Sequence, residues 1–154
     1  MGKLLSIYCD GAAHPRAGLP GGWAYALVVD DEAVFTQSGG HPSTTNNWME
    51  LQAALSGLRE VIARGWHLDH NVELVSDSRF ALDIVSGVYL PKKEVALCLE
   101  LRATGEEAKA RTRWVRGHAG VRWNEFADAL AHDAMQALVP AKARRRAARR
   151  KGTR

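Results

Sequence analysis

No apolar stretch in the 154 residues approaches the roughly 20 that a helix needs to cross a bilayer, so no transmembrane span is expected. Cysteine is scarce: there are 2, Cys9 in a strand-like run and Cys98 in a helix-like one, which read as buried thiols rather than a disulfide. Neither thiolate clusters nor paired histidines occur at zinc-ligand spacing. No internal repeat is visible. Met1-Gly2-Lys3 leads straight into a strand pattern, without the longer apolar core of a secretory leader. These absences point to a cytoplasmic protein. A composition 46% hydrophobic and 25% charged argues for a folded chain, and the length suits one domain.

One further absence is local. From Ala141 to Arg154 there are eight basic residues and no acid, while the first 140 residues carry 13 Lys and Arg against 17 Asp and Glu, a net of −4. The overall charge of +4 therefore belongs to the tail. A run such as Arg144-Arg145-Arg146-Ala147-Ala148-Arg149-Arg150-Lys151 repels itself and has no apolar face, so residues 140–154 are expected to be a disordered tail on a domain of residues 1–139. The tail is either a solvated end with no role or a non-specific tether for a polyanion through Arg144, Arg145, Arg146, Arg149 and Arg150.

What is present reads as an α/β domain. Lys3 to Cys9 forms a first strand, Gly11 to Gly21 a loop, and Gly22 to Val29 and Ala33 to Gly39 a hairpin about Asp30-Asp31-Glu32. A helix begins near Asn46 or Asn47 as its cap, with Trp48, Leu51, Leu55, Leu58 and Ile62 on one face and Gly65 past its end. Asn71 to Ser76 is a strand, Ser78 to Val85 a short helix, and Lys93 to about Lys109 another. Arg111 to Val115 is a fifth strand, followed by a helix from Arg122 to Leu138. Three strands as a meander, then strands joined by helical crossovers, predict a mixed five-stranded sheet with packed helices.

Four acids stand out on this frame. Asp10 and Asp77 close the apolar runs ending at Cys9 and Ser76, and strand ends are where ligands gather in open α/β sheets. Glu50 and Asp128 lie within helices, Glu50 on a face lined by Ala53, Ala54 and Gly57 that lets the helix approach the sheet. Each has an ordinary reading too. Glu50 and Asp128 would be solvated helical acids, Asp10 the start of an Asp-Gly turn, and Asp77 a cap for the helix after it. Taken together, four clustered carboxylates would repel unless a cation lay between them, which points to a divalent-metal site.

The segments Asp10-Gly11, Thr44-Thr45-Asn46-Asn47-Trp48-Met49-Glu50-Leu51, Ser76-Asp77-Ser78 and Trp114-Val115-Arg116-Gly117-His118-Ala119-Gly120, followed by Asn124-Glu125 and Asp128, resemble the type I ribonuclease H family in order and spacing. The resemblance covers residues 1 to 138. It implies the ribonuclease H-like fold, with helices on both faces of the sheet, and hydrolysis of the RNA strand of RNA–DNA hybrids. Asp10, Glu50, Asp77 and Asp128 would hold two Mg²⁺ ions, or Mn²⁺, about 4 Å apart. His118 matches the family's mobile histidine, which assists proton transfer or product release. Thr45, Asn46 and Asn47 match positions that contact the hybrid's backbone and minor groove, and Ser78 a position beside a ribose. A monomer without a small-molecule cofactor is expected.

The chain departs from the family pattern in three places. The loop Gly11-Ala12-Ala13-His14-Pro15-Arg16-Ala17-Gly18 lacks the Asn-Pro-Gly of bacterial relatives. Arg79 and Phe80 replace a Gln and a Tyr. Only 41 positions separate Asp77 from His118, too few for the basic, Trp-rich protrusion of some members, leaving Val88 to Lys93 in its place. Two other readings stay open at this level: another nuclease on the same scaffold, such as a junction resolvase or DNA-cutting enzyme, and a non-catalytic hybrid-binding protein.

Overall fold

A computed structural model describes residues 2–92 and 95–152. The elements in chain order are β1 (Leu4–Ala13), β2 (Leu19–Val29), β3 (Glu32–Thr44), α1 (Asn46–Ala63), a 3-10 turn at Trp66–Leu68, β4 (Asn71–Ser76), α2 (Arg79–Val85), α3 (Val95–Glu107), β5 (Arg111–Trp114), α4 (Arg122–Leu138) and α5 (Ala141–Lys151). The strands form one sheet in the order β3-β2-β1-β4-β5, antiparallel from β3 to β1 and parallel from β1 to β5. This is the mixed sheet that the strand order implied.

The period of two along β1 divides its side chains between two layers. Leu5, Ile7 and Cys9 join Tyr25, Leu27, Leu51, Leu55, Leu58 and Leu74 in the main core beneath α1. On the opposite face Ala12 and Ala24 pack against Ala131 of α4. Helices therefore cover both faces. The inter-layer distance on the α4 side is short because Gly22 has no side chain: a Cβ there would lie 2.1 Å from the Ala131 carbonyl oxygen.

That packing also explains the largest departure from the expected strand bounds. Gly11 to Gly21 reads as a loop by composition, yet the β1–β2 ladder continues to Ala13 opposite Gly21. Gly11 and Gly21 serve the close approach of α1 rather than a turn, and only residues 14–18, with Gly18 at a φ of 85°, remain as connection. At the other end of β2, Asp30 and Asp31 take positive φ angles of 52° and 59°, the geometry of a two-residue hairpin turn.

Helix α1 is capped one residue earlier than expected. Thr45, not Asn46 or Asn47, has the extended cap conformation, and its Oγ1 accepts the Trp48 N–H at 3.2 Å. Ser78 likewise caps α2, its hydroxyl accepting from the Ala81 N–H, so Asp77 is not the cap. The expected start of the next helix at Lys93 lies outside the described residues. Cys9 and Cys98 are buried and not joined in a disulfide. No helix among the described residues is long and apolar enough to cross a membrane.

The tail corrects one expectation. Charge repulsion led us to expect disorder after Pro140, but Ala141–Lys151 is helical. Alanine and arginine are among the strongest helix formers, and each like-charge pair one turn apart costs only about 0.2–0.5 kcal/mol. Arg149, Arg150 and Lys151 occupy the last turn, where cations are favoured by the helix dipole.

Candidate active site

The site is built where the two central parallel strands part. β1 and β4 pair from Leu4 and Asn71 up to Tyr8 and Val75. Beyond that row β1 stays paired with β2 alone, while β4 ends at Ser76 and the chain turns into α2. Asp10 and Asp77 flank this opening. Gly11 brings α1 against it: a Cβ on Gly11 would lie 2.4 Å from the Glu50 backbone nitrogen. Only a residue without a side chain lets the helix deliver Glu50 to the strand end.

The result is a tight acidic cluster. One carboxylate oxygen from each of Asp10, Glu50 and Asp77 lies within 4.8 Å of the others. Asp10 is 3% exposed and Glu50 5%, so the ordinary reading of Glu50 as a solvated helical acid is excluded. Asp128, on α4, comes from the opposite face of the sheet close enough to help raise the Asp10 carboxyl. It is more open than the other two and also lies 3.3 Å from the His132 ring. The fourth carboxylate thus borders the cluster rather than sharing its inner triangle.

Electrostatics follow from burial and like charge. Desolvation, then the negative charges of Glu50 and Asp77, push the Asp10 carboxyl far above the usual carboxylate range. Burial likewise raises Glu50, against the opposing hydrogen bonds from Asp10 and the Gly11 N–H. The Cys9 thiol beneath them is pushed well up by burial and by the Glu50 and Asp10 charges. Glu50 Oε2 is buried without any hydrogen-bond partner. A buried carboxylate oxygen with no donor, facing two further carboxylates, fits a hard divalent cation, which takes oxygen ligands.

Around the cluster are residues that spacing alone did not single out for a role. Asn124, 1% exposed, donates its Nδ2 to Asp77 Oδ2 at 3.4 Å and leaves its own Oδ1 unpartnered. Trp114 donates its indole N–H to the Asp77 carbonyl at 3.1 Å, and the Arg79 guanidinium lies over the Trp114 ring, 4.2 Å from its centroid. Asn124 precedes Asp128 by one helical turn, and that i, i+4 relation was the signal available in the sequence.

The loop bearing His118 closes over Asp77. A Cβ on Gly117 would lie 2.8 Å from Asp77 Oδ2, so this backbone passes directly beside the carboxylate. His118 itself is exposed and holds a positive φ of 53°, uncommon for a residue with a side chain. The loop is tied down behind it by the Gly120 N–H, which donates to Glu125 Oε1 at 3.0 Å.

Next to the cluster runs an open groove of about 710 Å³ lined by Thr45, Asn46, Asn47, Phe80 and the segment Tyr89–Lys92. Thr45, Asn46 and Asn47 are exposed on the turn of α1 that precedes Glu50. Ser78 is half-buried at the start of α2, its oxygen engaged in the cap. The side chains of Arg145, Arg146, Arg149 and Arg150 are exposed on α5, and that of Arg144 lies outside what the structure describes.

A strand-end carboxylate cluster on a mixed β3-β2-β1-β4-β5 sheet, with a polar groove beside it, defines a metal-dependent phosphodiesterase of the ribonuclease H-like class. Residues 2–136 match the family model described as RNase H, and the chain belongs to the ribonuclease H family. It is 33% identical to a ribonuclease H of Treponema denticola, across 88% of this chain and 99% of that protein. A ribonuclease H of Marinobacter nauticus is 37% identical, across 89% and 97%. Among solved structures, LC11-RNase H1, isolated from compost by a metagenomic approach, superposes with a TM-score of 0.76 at 25% identity, covering 90% of this chain and 100% of that one. The same protein in complex with an RNA/DNA hybrid gives 0.70 at 25% identity, covering 88% and 99%.

Proposed function

We propose that the chain is an endonuclease that hydrolyses the RNA strand of RNA–DNA hybrids, with Asp10, Glu50, Asp77 and Asp128 holding two Mg²⁺ ions, Mn²⁺ serving in their place. The observation that carries this is the inner triangle of carboxylates with its unpartnered Glu50 oxygen, in a chain of the ribonuclease H family. Divalent cations bound there would make an attacking water acidic and neutralise charge growing on the leaving oxygen.

The chain's own residues have distinct tasks in this reading. Asn124 and Trp114 hold Asp77 from its side chain and its carbonyl, so the carboxylate keeps its orientation without a cation. His118, exposed on a loop hinged by Gly117 and Gly120, reaches outward to accept or deliver a proton at the scissile phosphate or to assist product release. Asn46 and Asn47 are freed from capping because Thr45 does that work, so their amides face the groove. There they bond 2′-hydroxyls and base edges of a wide, shallow minor groove, the feature that separates RNA from DNA. The Thr45 and Ser78 hydroxyls accept in their caps and keep their protons for a phosphate or ribose oxygen.

The catalytic unit in this reading is residues 1–139, with 140–154 as a basic appendage whose arginines, Arg144 among them, would bind the hybrid. It acts as a monomer in the cytoplasm, a compartment that keeps thiols such as Cys9 and Cys98 reduced. The test is substrate discrimination. With matched hybrid, duplex DNA and duplex RNA, each strand labelled, only the RNA of the hybrid should shorten. Equal cutting of duplex DNA would instead favour a resolvase-like nuclease.

A further inference from the structure

Helix α5 carries the strongest concentration of charge on the molecule and has no part in the site just described. We propose that it is a phosphate-binding helix that holds the backbone of a nucleic-acid duplex against the catalytic body, without regard to sequence or to which strand is RNA. The proposal deepens the reading of the protein as a hybrid nuclease and rests on it for the purpose of the contact, not for the contact itself.

Three observations lead there. First, residues 1–140 carry a net charge of −4 and gather four carboxylates at their centre, so the body repels a polyanion. Among the described residues of the connection from α2 to α3, bordering the groove, Lys92 is the one cation. The attraction has to come from elsewhere, and residues 141–154 hold eight basic residues and no acid.

Second, the helix gathers its charge. At 3.6 residues per turn, Arg145, Arg149, Arg146 and Arg150 fall within an arc of about 140°, and Lys151 adds charge outside that arc. All four side chains are exposed. Helices that lie in a lipid surface oppose such a face with Leu, Phe or Trp, but between Ala141 and Lys151 the apolar residues are all alanine. The chemistry selects phosphates in water, not a membrane.

Third, α5 follows α4, the helix that bears Asp128, with only Val139 and Pro140 between them. α4 carries Asp128 at the cluster and ends near β3, where a Cβ on Gly40 would lie 2.6 Å from Leu138 Cδ1. At 1.5 Å per residue, Pro140 lies about 18 Å along from Asp128, and α5 extends about another 16 Å. With base pairs about 3.4 Å apart, its arginines reach phosphates up to roughly ten pairs from the cut.

The experiment compares the full chain with a variant bearing Arg145→Gln, Arg146→Gln, Arg149→Gln and Arg150→Gln. Both are titrated in EDTA, where nothing is cut, against a fluorescent hybrid of about 25 base pairs, a matched DNA duplex, and vesicles of anionic lipid, at several salt concentrations. Loss of about four phosphate contacts lowers the magnitude of the log affinity against log salt slope by roughly 3 to 4. The affinity gap between the proteins should therefore narrow on the order of 100-fold between about 50 and 200 mM salt, equally for hybrid and DNA duplex. In turnover with Mg²⁺, the loss should appear in KM rather than kcat. An unchanged salt slope overturns the proposal, as does a loss seen with vesicles but not duplexes. A fall in kcat with KM intact would overturn it too, showing instead that the helix builds the active site. Strand-selective cleavage by the variant at saturating hybrid reports on the proposed activity separately, so either idea can fail alone.

Discussion

Replacing Asp10 by Asn should make the protein more stable when divalent ions are absent, while abolishing cleavage. Asp10 is 3% exposed, and its oxygen lies within 4.8 Å of one from Glu50 and one from Asp77. Two unit charges at that distance repel by about 3 kcal/mol at an effective dielectric near 20. The full repulsion is not felt, because the site takes up a proton instead. The folded Asp10 is raised far above its ordinary 3.8, so its favourable contribution is complete below about pH 4 and is lost as pH rises toward the folded value. Asn has no charge to lose, and its amide can donate to the unpartnered Glu50 oxygen. In EDTA at pH 8 the variant should therefore gain on the order of 3 kcal/mol, a rise of roughly 5–10 °C in Tm for a chain of this size. At pH 5 the gain should shrink. Adding Mg²⁺ at about 100 times its Kd should return about 2.7 kcal/mol to the wild type and much less to the variant. Thermal melts followed by circular dichroism, with and without Mg²⁺ at both pH values, measure all of this. A variant that melts at or below the wild type in EDTA at pH 8 would refute the clustering argument. Equal stabilisation of both proteins by Mg²⁺ would refute the site.

His118→Ala should slow turnover by roughly 10²- to 10⁴-fold with Tm unchanged, since the side chain is exposed; unchanged turnover would remove it from the reaction. Gly11→Ala should cost both stability and activity, because its Cβ would meet the backbone of Met49 and Glu50, which cannot swing aside as a side chain can. A fully active, fully stable G11A protein would contradict the close approach of α1. Leu55→Ala, in the core under the sheet, should lose about 2–5 kcal/mol in denaturant unfolding and leave the kcat of the folded fraction near wild type.

Much of this was legible in the sequence. Periodicity placed the helices, since Leu51, Leu55 and Leu58 at helical spacing are core residues. Asp10 and Asp77 stood out because they close apolar runs at strand ends, where ligands gather in open α/β sheets. Composition misled where one residue type serves two purposes. Gly11 and Gly21 read as loop, though they are strand residues whose missing side chains leave room for α1. Asn46 and Asn47 read as caps, though Thr45 takes that role, because three adjacent residues are all good caps and only backbone angles decide among them. The charge run of the tail suggested disorder, while the helix propensity of Ala and Arg favours the helix observed. Asn124 was hidden for a different reason. Its importance lies in a contact across 47 positions with Asp77, which no local pattern encodes.

The central claim, that the carboxylate cluster directs metal-dependent hydrolysis of RNA paired with DNA, is tested most directly by the ends of the products. A hybrid labelled in its RNA strand is incubated with chelator-treated protein, then with Mg²⁺, and the fragments are analysed by mass. Internal cuts in the RNA should appear only after Mg²⁺ is added and should carry 5′-phosphate and 3′-hydroxyl ends, as attack by a water on the phosphate with departure of the 3′ oxygen requires. Cleavage that persists in EDTA, or fragments ending in a 2′,3′-cyclic phosphate, would mean that the ribose hydroxyl is the nucleophile and that Asp10, Glu50, Asp77 and Asp128 do not do the work assigned to them.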